Sequence, residues 1–155
     1  MIDSVAVGKK IQECRIKNHY RQDDLADLLF VSRQAVSRWE LGIALPTIDN
    51  LIELSRLFRL SFEELLCMDQ EIEICQENIF QGHDRDFIVR KICSGELQVP
   101  LSEVFYQFSN RERMTILYAL KKRRIPIDRD LRVKLTRGER EFLAHKDSSD
   151  EGGEK

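Results

Sequence analysis

Charge of one sign is what this 155-residue chain lacks most plainly: 25 Lys and Arg against 27 Asp and Glu leave a formal net charge of −2. That balance excludes a general polycation that coats nucleic acid by electrostatics alone. Long apolar runs are missing too. With no membrane-length stretch and no charged-then-apolar leader, no membrane partner is expected and the expected location is the cytoplasm. Cys14, Cys67, Cys75 and Cys93 form no Cys-x-x-Cys pair, and His19, His83 and His145 are scattered, so a zinc site is disfavoured. Cys14 falls on an apolar stripe and reads as a small buried hydrophobe. A redox pair of Cys67 with Cys75 would need an electropositive setting, and Asp69, Glu71, Glu73 and Glu77 crowd that segment instead. No nucleophile–base pair or carboxylate dyad stands at a useful spacing. Neither enzymatic activity nor a cofactor is expected.

What is present is a chain that can fold. Hydrophobic residues make up 42 % and charged residues 34 %, enough for a core and a soluble surface in one or two small domains. Val7, Ile11 and Cys14 recur at helical spacing and predict a first helix from about Ser4 to Asn18. A second starts near Gln22, with Asp23 and Asp24 in its first turn and Leu25, Ala26 and Leu29 facing inward. A third runs from a capping Ser32 to about Leu41 and stops at Gly42. Thr47 caps a fourth, in which Leu51, Leu54, Leu57 and Phe58 face inward. Ser61 and Glu64 form a capping box for a short fifth helix ending at Leu65 and Leu66.

Downstream, Ile72, Cys75 and Ile79 at i, i+3, i+7 predict a connecting helix within 69–83, and residues 84–92 another, stopped by Ser94 and Gly95. Pro100 opens a second, smaller helical region holding a weak internal echo. Ser109 precedes Glu112, and Thr136 precedes Glu139, as two capping boxes 27 residues apart. The expected organisation is therefore residues 1–68 as one domain, 69–99 as connecting helices, 100–145 as a helical C-terminal region and 146–155 as a disordered tail.

Chemistry concentrates in the third helix. Arg33, Gln34, Ser37 and Arg38 lie away from its apolar stripe, and Arg and Gln have the forked geometry that matches guanine and adenine edges in the major groove. Near a helix N-terminus braced by a preceding helix, they form a helix-turn-helix pattern for reading duplex DNA. Trp39, on the other side, reads as a packing residue.

With Gly8, Ile11 and Arg15, then Gln22, Leu25 and Ala26, then Val31 through Glu40, and Gly42, Pro46, Leu51, Ser61 and Leu65 in order, residues 5–66 resemble the phage-repressor-like (Xre/Cro-type) helix-turn-helix regulators. The resemblance implies an all-α architecture: a five-helix repressor-like DNA-binding domain followed by a smaller helical C-terminal region. It implies that Gln22 contacts a phosphate, and that Arg33, Gln34, Ser37 and Arg38 face the groove with Gln34 as base reader. It also implies that Arg15 and Glu40 tie the first helix to the third. Ser32 completes the DNA-binding set as the cap of the recognition helix. The chain departs from the family pattern at three positions. Arg21 stands where a Ser or Thr cap is usual, forgoing about 1 kcal/mol, and its charge suits the DNA backbone. Phe30 and Arg59 stand at turn positions where Gly or Asn is common. If those turns need positive φ, Phe30 is strained.

Residues 1–68 carry nine Lys or Arg and ten Asp or Glu, so attraction to DNA must come from local placement. Residues 111–140 differ, with eleven basic and four acidic residues, including the run Lys121-Lys-Arg-Arg124. Those cations either serve a helix C-terminus or make a second contact with nucleic acid or an acidic partner. The expected function is a sequence-specific DNA-binding transcriptional regulator, a repressor working as a homodimer on an operator. The alternative is an adaptor that keeps the fold and holds a protein partner through its C-terminal helices.

Overall fold

The computed structural model describes residues 2–68 and 72–145, and among them the chain is all-helical. Ten α-helices and a 3-10 turn at Phe105–Gln107 form; outside them the sole pairing is an isolated bridge between Cys75 and Asn78. The helices are α1 (Ser4–Lys17), α2 (Gln22–Leu28), α3 (Arg33–Glu40), α4 (Ile48–Phe58), α5 (Phe62–Leu65), α6 (Arg85–Ser94), α7 (Leu101–Val104), α8 (Asn110–Lys121), α9 (Leu131–Lys134) and α10 (Arg137–Ala144). None of the described helices is long and apolar enough to cross a membrane.

The chain divides into two compact units. The first runs to Ile74 and regains Phe80–Phe87; the second comprises Cys75–Ile79 and the residues from Ile88 onward. In the first, α1 and α2 form as their apolar spacing predicts and α3 to α5 as their caps predict. The Ser32 and Thr47 hydroxyls accept from the backbone N–H groups of Ala35 and Asn50, and Ser61 exchanges reciprocal bonds with Glu64. Val7, Ile11, Leu25, Ala26, Leu29, Val36, Trp39, Leu54 and Leu65 make the core, with Leu51, Leu57 and Phe58 packed against it. Burying each large aliphatic side chain contributes about 1.5–3 kcal/mol, so most of the unit's stability comes from this cluster.

Phe30 (φ 54°) and Arg59 (φ 56°) do adopt the left-handed conformation. Side chains there cost roughly 1–2 kcal/mol relative to right-handed backbone, and Phe30 recovers nothing by packing, being 96 % exposed.

Asp3 closes the first unit from outside the expected pattern. Its Oδ1 accepts from the backbone N–H groups of Val5, Ala6 and Asp84 at 3.0–3.2 Å, and its Oδ2 lies 2.7 Å from His83 Nδ1. The carboxylate thus caps α1 and anchors a segment 80 residues away.

The segment 72–83 is not helical, contrary to its apolar spacing; residues 69–71 lie outside the described residues, as does the expected disordered tail 146–155. Turns and the Cys75–Asn78 bridge occupy 72–83 instead. The physical reason is a side chain far along the chain. Gln107 Oε1 accepts from the Ile79 N–H at 2.9 Å, and Gln107 Nε2 donates to the Gln76 carbonyl at 2.7 Å. These bonds satisfy backbone groups that a helix would have paired, and Ile79 is buried all the same.

In the second unit Ile88, Ile92, Phe105, Ile116, Leu117, Leu120 and Leu131 are fully buried. Both echoed capping boxes form, at Ser109 with Glu112 and at Thr136 with Glu139. The two echoes are joined directly: Arg113 donates twice to Glu139, each bond 2.7 Å, with both side chains largely buried.

Candidate nucleic-acid interface

Helix α3 presents two unlike faces. At 100° per residue, Arg33, Gln34, Ser37, Arg38 and Leu41 fall within an arc of about 140°, while Val36 and Trp39 point the other way and Glu40 borders the arc beside Arg33; these three are buried. Ser32, Arg33, Gln34, Arg38 and Leu41 are exposed and Ser37 is half-buried. Gln34 and Arg38 have no side-chain hydrogen bond or ion pair among the described residues, so their donors are free for another molecule. Arg33 Nε sits 3.7 Å from Asp23 Oδ1, with both side chains more than half exposed. Such a pair is worth at most about 1 kcal/mol and is readily exchanged for a phosphate or a base edge. Ser32 spends its hydroxyl on the cap of α3. Leu41, 65 % exposed, extends the same face at its C-terminal end and was not among the sequence candidates, because an apolar cap residue reads as core.

The buried face is held by an ion pair that the sequence reasoning did anticipate. Arg15 donates through Nε and Nη2 to Glu40 at 2.5 and 3.1 Å, and through Nη1 to the Tyr20 carbonyl at 2.8 Å. The Glu40 carboxylate is 2 % exposed. Its hydrogen bond raises the Arg15 guanidinium above its usual range, so the cation stays charged under all ordinary conditions. A third donor was not foreseen: Gln22 Nε2 reaches Glu40 Oε2 at 2.8 Å. Gln22 is therefore part of the brace. Its second amide N–H and its carbonyl oxygen are not used by that bond.

Close packing does the rest. A Cβ built on Gly8 would stand 2.2 Å from the Trp39 carbonyl oxygen, and one on Gly42 (φ 70°) 2.8 Å from the Val5 Cα. Only glycine lets α1 and the end of α3 approach this closely.

Arg21 begins α2 without a side-chain cap, as arginine has no acceptor. Asp24 supplies the other half of a capping box, accepting from the Arg21 N–H at 2.7 Å. That backbone bond, helped by the guanidinium folded over it, lowers the Asp24 carboxyl below its ordinary range. Arg21 itself is 81 % exposed.

A five-helix core, a tightly seated third helix and a polar outward face on that helix define a helix-turn-helix domain. The family model described as helix-turn-helix matches residues 11–65, and this segment is a helix-turn-helix domain of the phage-repressor-like, Xre/Cro type. Among similar proteins, the HTH-type transcriptional activator BcrR of Enterococcus faecalis is 34 % identical over 69 residues, 44 % of this chain and 34 % of that protein. The SPbeta prophage-derived HTH-type regulator YonR of Bacillus subtilis (strain 168) is 34 % identical over 59 residues, 38 % of this chain and 55 % of that protein. The HTH-type transcriptional regulator ImmR of the same organism is 32 % identical over 66 residues, 43 % of this chain and 52 % of that protein. The chain thus spans between about a third and about half the length of these curated relatives. No solved structure matches significantly.

Proposed function

We propose that this chain is a sequence-specific DNA-binding regulator of transcription that sets α3 in the major groove of an operator and acts in the cytoplasm. The observation that carries the reading is the contrast within one helix. Gln34 and Arg38 stand exposed without internal partners, on a helix whose opposite face is clamped by Arg15, Gln22 and Glu40. A rigid helix with unspent forked donors is what direct base readout requires. Gln34, early in the helix, reads a base edge. Arg33 and Arg38 divide between bases and phosphates, Arg21 and Gln22 face the phosphate backbone, and Leu41 suits a thymine methyl.

Repression is the simplest consequence, since occupying an operator excludes other proteins and needs no further contact. Of the relatives, one is named an activator and two are named regulators without a stated sign. The working form is a dimer assembled through the C-terminal region, because domains of this type read paired half-sites about 34 Å apart. Selection of bound duplexes from a random pool tests the whole reading. A two-fold symmetric motif with half-sites one helical turn apart is expected. Absence of any enriched motif overturns DNA readout, and a single unpaired half-site overturns the dimer. A reporter placed behind the selected motif then separates repression from activation.

A further inference from the structure

We infer that the second unit carries its own site for the DNA sugar–phosphate backbone, centred on Arg132, Lys134 and Arg140. The inference rests on the DNA reading above and supplies the electrostatic part that the first unit lacks. Among residues 1–68 acids outnumber bases by one, so α3 works with little background attraction to a polyanion. Residues 111–140, by contrast, hold a surplus of seven positive charges.

The structure shows where that surplus is spent and where it is not. Its acids are largely committed. Glu139 is bound to Arg113, and Asp128 accepts from the backbone N–H groups of Ser102 and Asp130, both at 3.0 Å. Glu112 closes the capping box of α8. Apart from Arg137, which pairs with Glu141 at 2.9 Å, the cations from 123 onward are the opposite case. Arg123, Arg124, Arg129, Arg132, Lys134 and Arg140 are all exposed and have no partner among the described residues. A helix C-terminus accounts for cations in its last turn only, which covers Arg132 and Lys134 in the four-residue α9 but leaves Arg129 and Arg140 unexplained.

Arg132 and Arg140 also share a site. Together with Leu135, Leu143 and Ala144 they line an open cavity of about 260 Å³. A cavity lined by two arginines and three apolar residues suits a phosphate flanked by deoxyribose, and guanidinium binds phosphate as a fork. The backbone of a duplex fits better than a single strand, which is held largely by stacking bases on aromatic rings. The segment's one ring, Tyr118, has Lys122 5.8 Å away, and Phe142 just beyond it has Lys121 4.7 Å above it.

The test uses the full chain and a fluorescent random-sequence duplex, titrated by anisotropy at several sodium chloride concentrations. The triple variant Arg132→Gln, Lys134→Gln, Arg140→Gln removes three phosphate neutralisations. The slope of log affinity against log salt is expected to fall by about 2.7, at roughly 0.9 per contact. Affinity for random and selected duplexes should fall by the same factor, leaving their ratio unchanged. The charge-preserving triple Arg132→Lys, Lys134→Arg, Arg140→Lys should keep the wild-type slope, with melting curves of both variants confirming the fold. If the neutral triple keeps the wild-type slope while wild type binds duplex well, the second-unit site is overturned and only the DNA reading stands. An acidic peptide captured by wild type and lost from that same triple would then give the surface its other use. If wild type binds no duplex at any salt, both readings fall together.

Discussion

Gly8 stands so close to Trp39 that a methyl group on Gly8 would lie 2.2 Å from the tryptophan's carbonyl oxygen. Glycine within a helix usually costs 0.5–1 kcal/mol relative to alanine, so Gly8→Ala on an open helix would stabilise. Here the neighbour is backbone and cannot swing aside. We expect Gly8→Ala to destabilise by about 1–3 kcal/mol or more, with α3 displaced and DNA affinity lost in step. Urea unfolding checks the sign. A variant as stable as wild type would mean the helices separate without cost.

Glu40→Ala should cost about 3–5 kcal/mol, because it strands the Arg15 guanidinium in a largely buried site. Gln22→Ala breaks a single bond to a charged acceptor and should cost about 1.5–3 kcal/mol. Chemical denaturation of the two single variants ranks them. Equal effects would show that the Arg15–Glu40 bonds add nothing beyond the Gln22 bond.

Gln34→Ala should weaken the selected duplex by about 1–3 kcal/mol while scarcely changing affinity for random DNA. Parallel titrations of both duplexes at one salt concentration decide it. Equal losses would place Gln34 on phosphate.

How much of this was legible beforehand depended on how far apart the interacting residues lie. The capping boxes at Ser61, Ser109 and Thr136 all formed, because each is complete within four residues. The family pattern carried Arg15 to Glu40 across 25 positions. It did not carry Gln22 to Glu40, since a glutamine at a helix start reads equally well as a phosphate ligand. Periodicity misled at Ile72, Cys75 and Ile79, where the deciding partner, Gln107, is 28 residues from Ile79. Nothing local marks that distant amide. Glu139 was visible as part of an echo, but its partner Arg113, 26 residues away, was not.

The second unit should lose stability in acid. Arg113 holds the Glu139 carboxyl below its ordinary range, with the Thr136 backbone N–H assisting against the cost of burial. A folded-state pKa depressed in this way gives stability that is complete above the unfolded value, about 4.3, and is lost as pH falls through the folded one. Melting the full chain from pH 6 downward should show the Glu139→Gln variant, already weaker at pH 6, converging on wild type toward acid. Parallel curves would show the pair to be energetically idle.

Truncation after Met68 keeps every helix of the domain yet removes His83 and the Asp84 N–H from Asp3. Charge-assisted bonds of this kind are worth about 1.5–3 kcal/mol. The fragment should fold with that much less stability than Asp3 confers in the full chain, measured by denaturation against an Asp3→Asn full-length control. A fragment that loses nothing would show water replacing both partners.

That same carboxylate imposes an order of events on synthesis. Asp3 and His83 are 80 residues apart, and chains grow at roughly 5–20 residues per second, so about 4–16 s separate the two during translation. Until then Asp3 serves α1 alone, through Val5 and Ala6. The first unit closes only after Cys75–Ile79, which belong to the other unit, have been made. Its completion is thereby timed by the arrival of the chain that follows it.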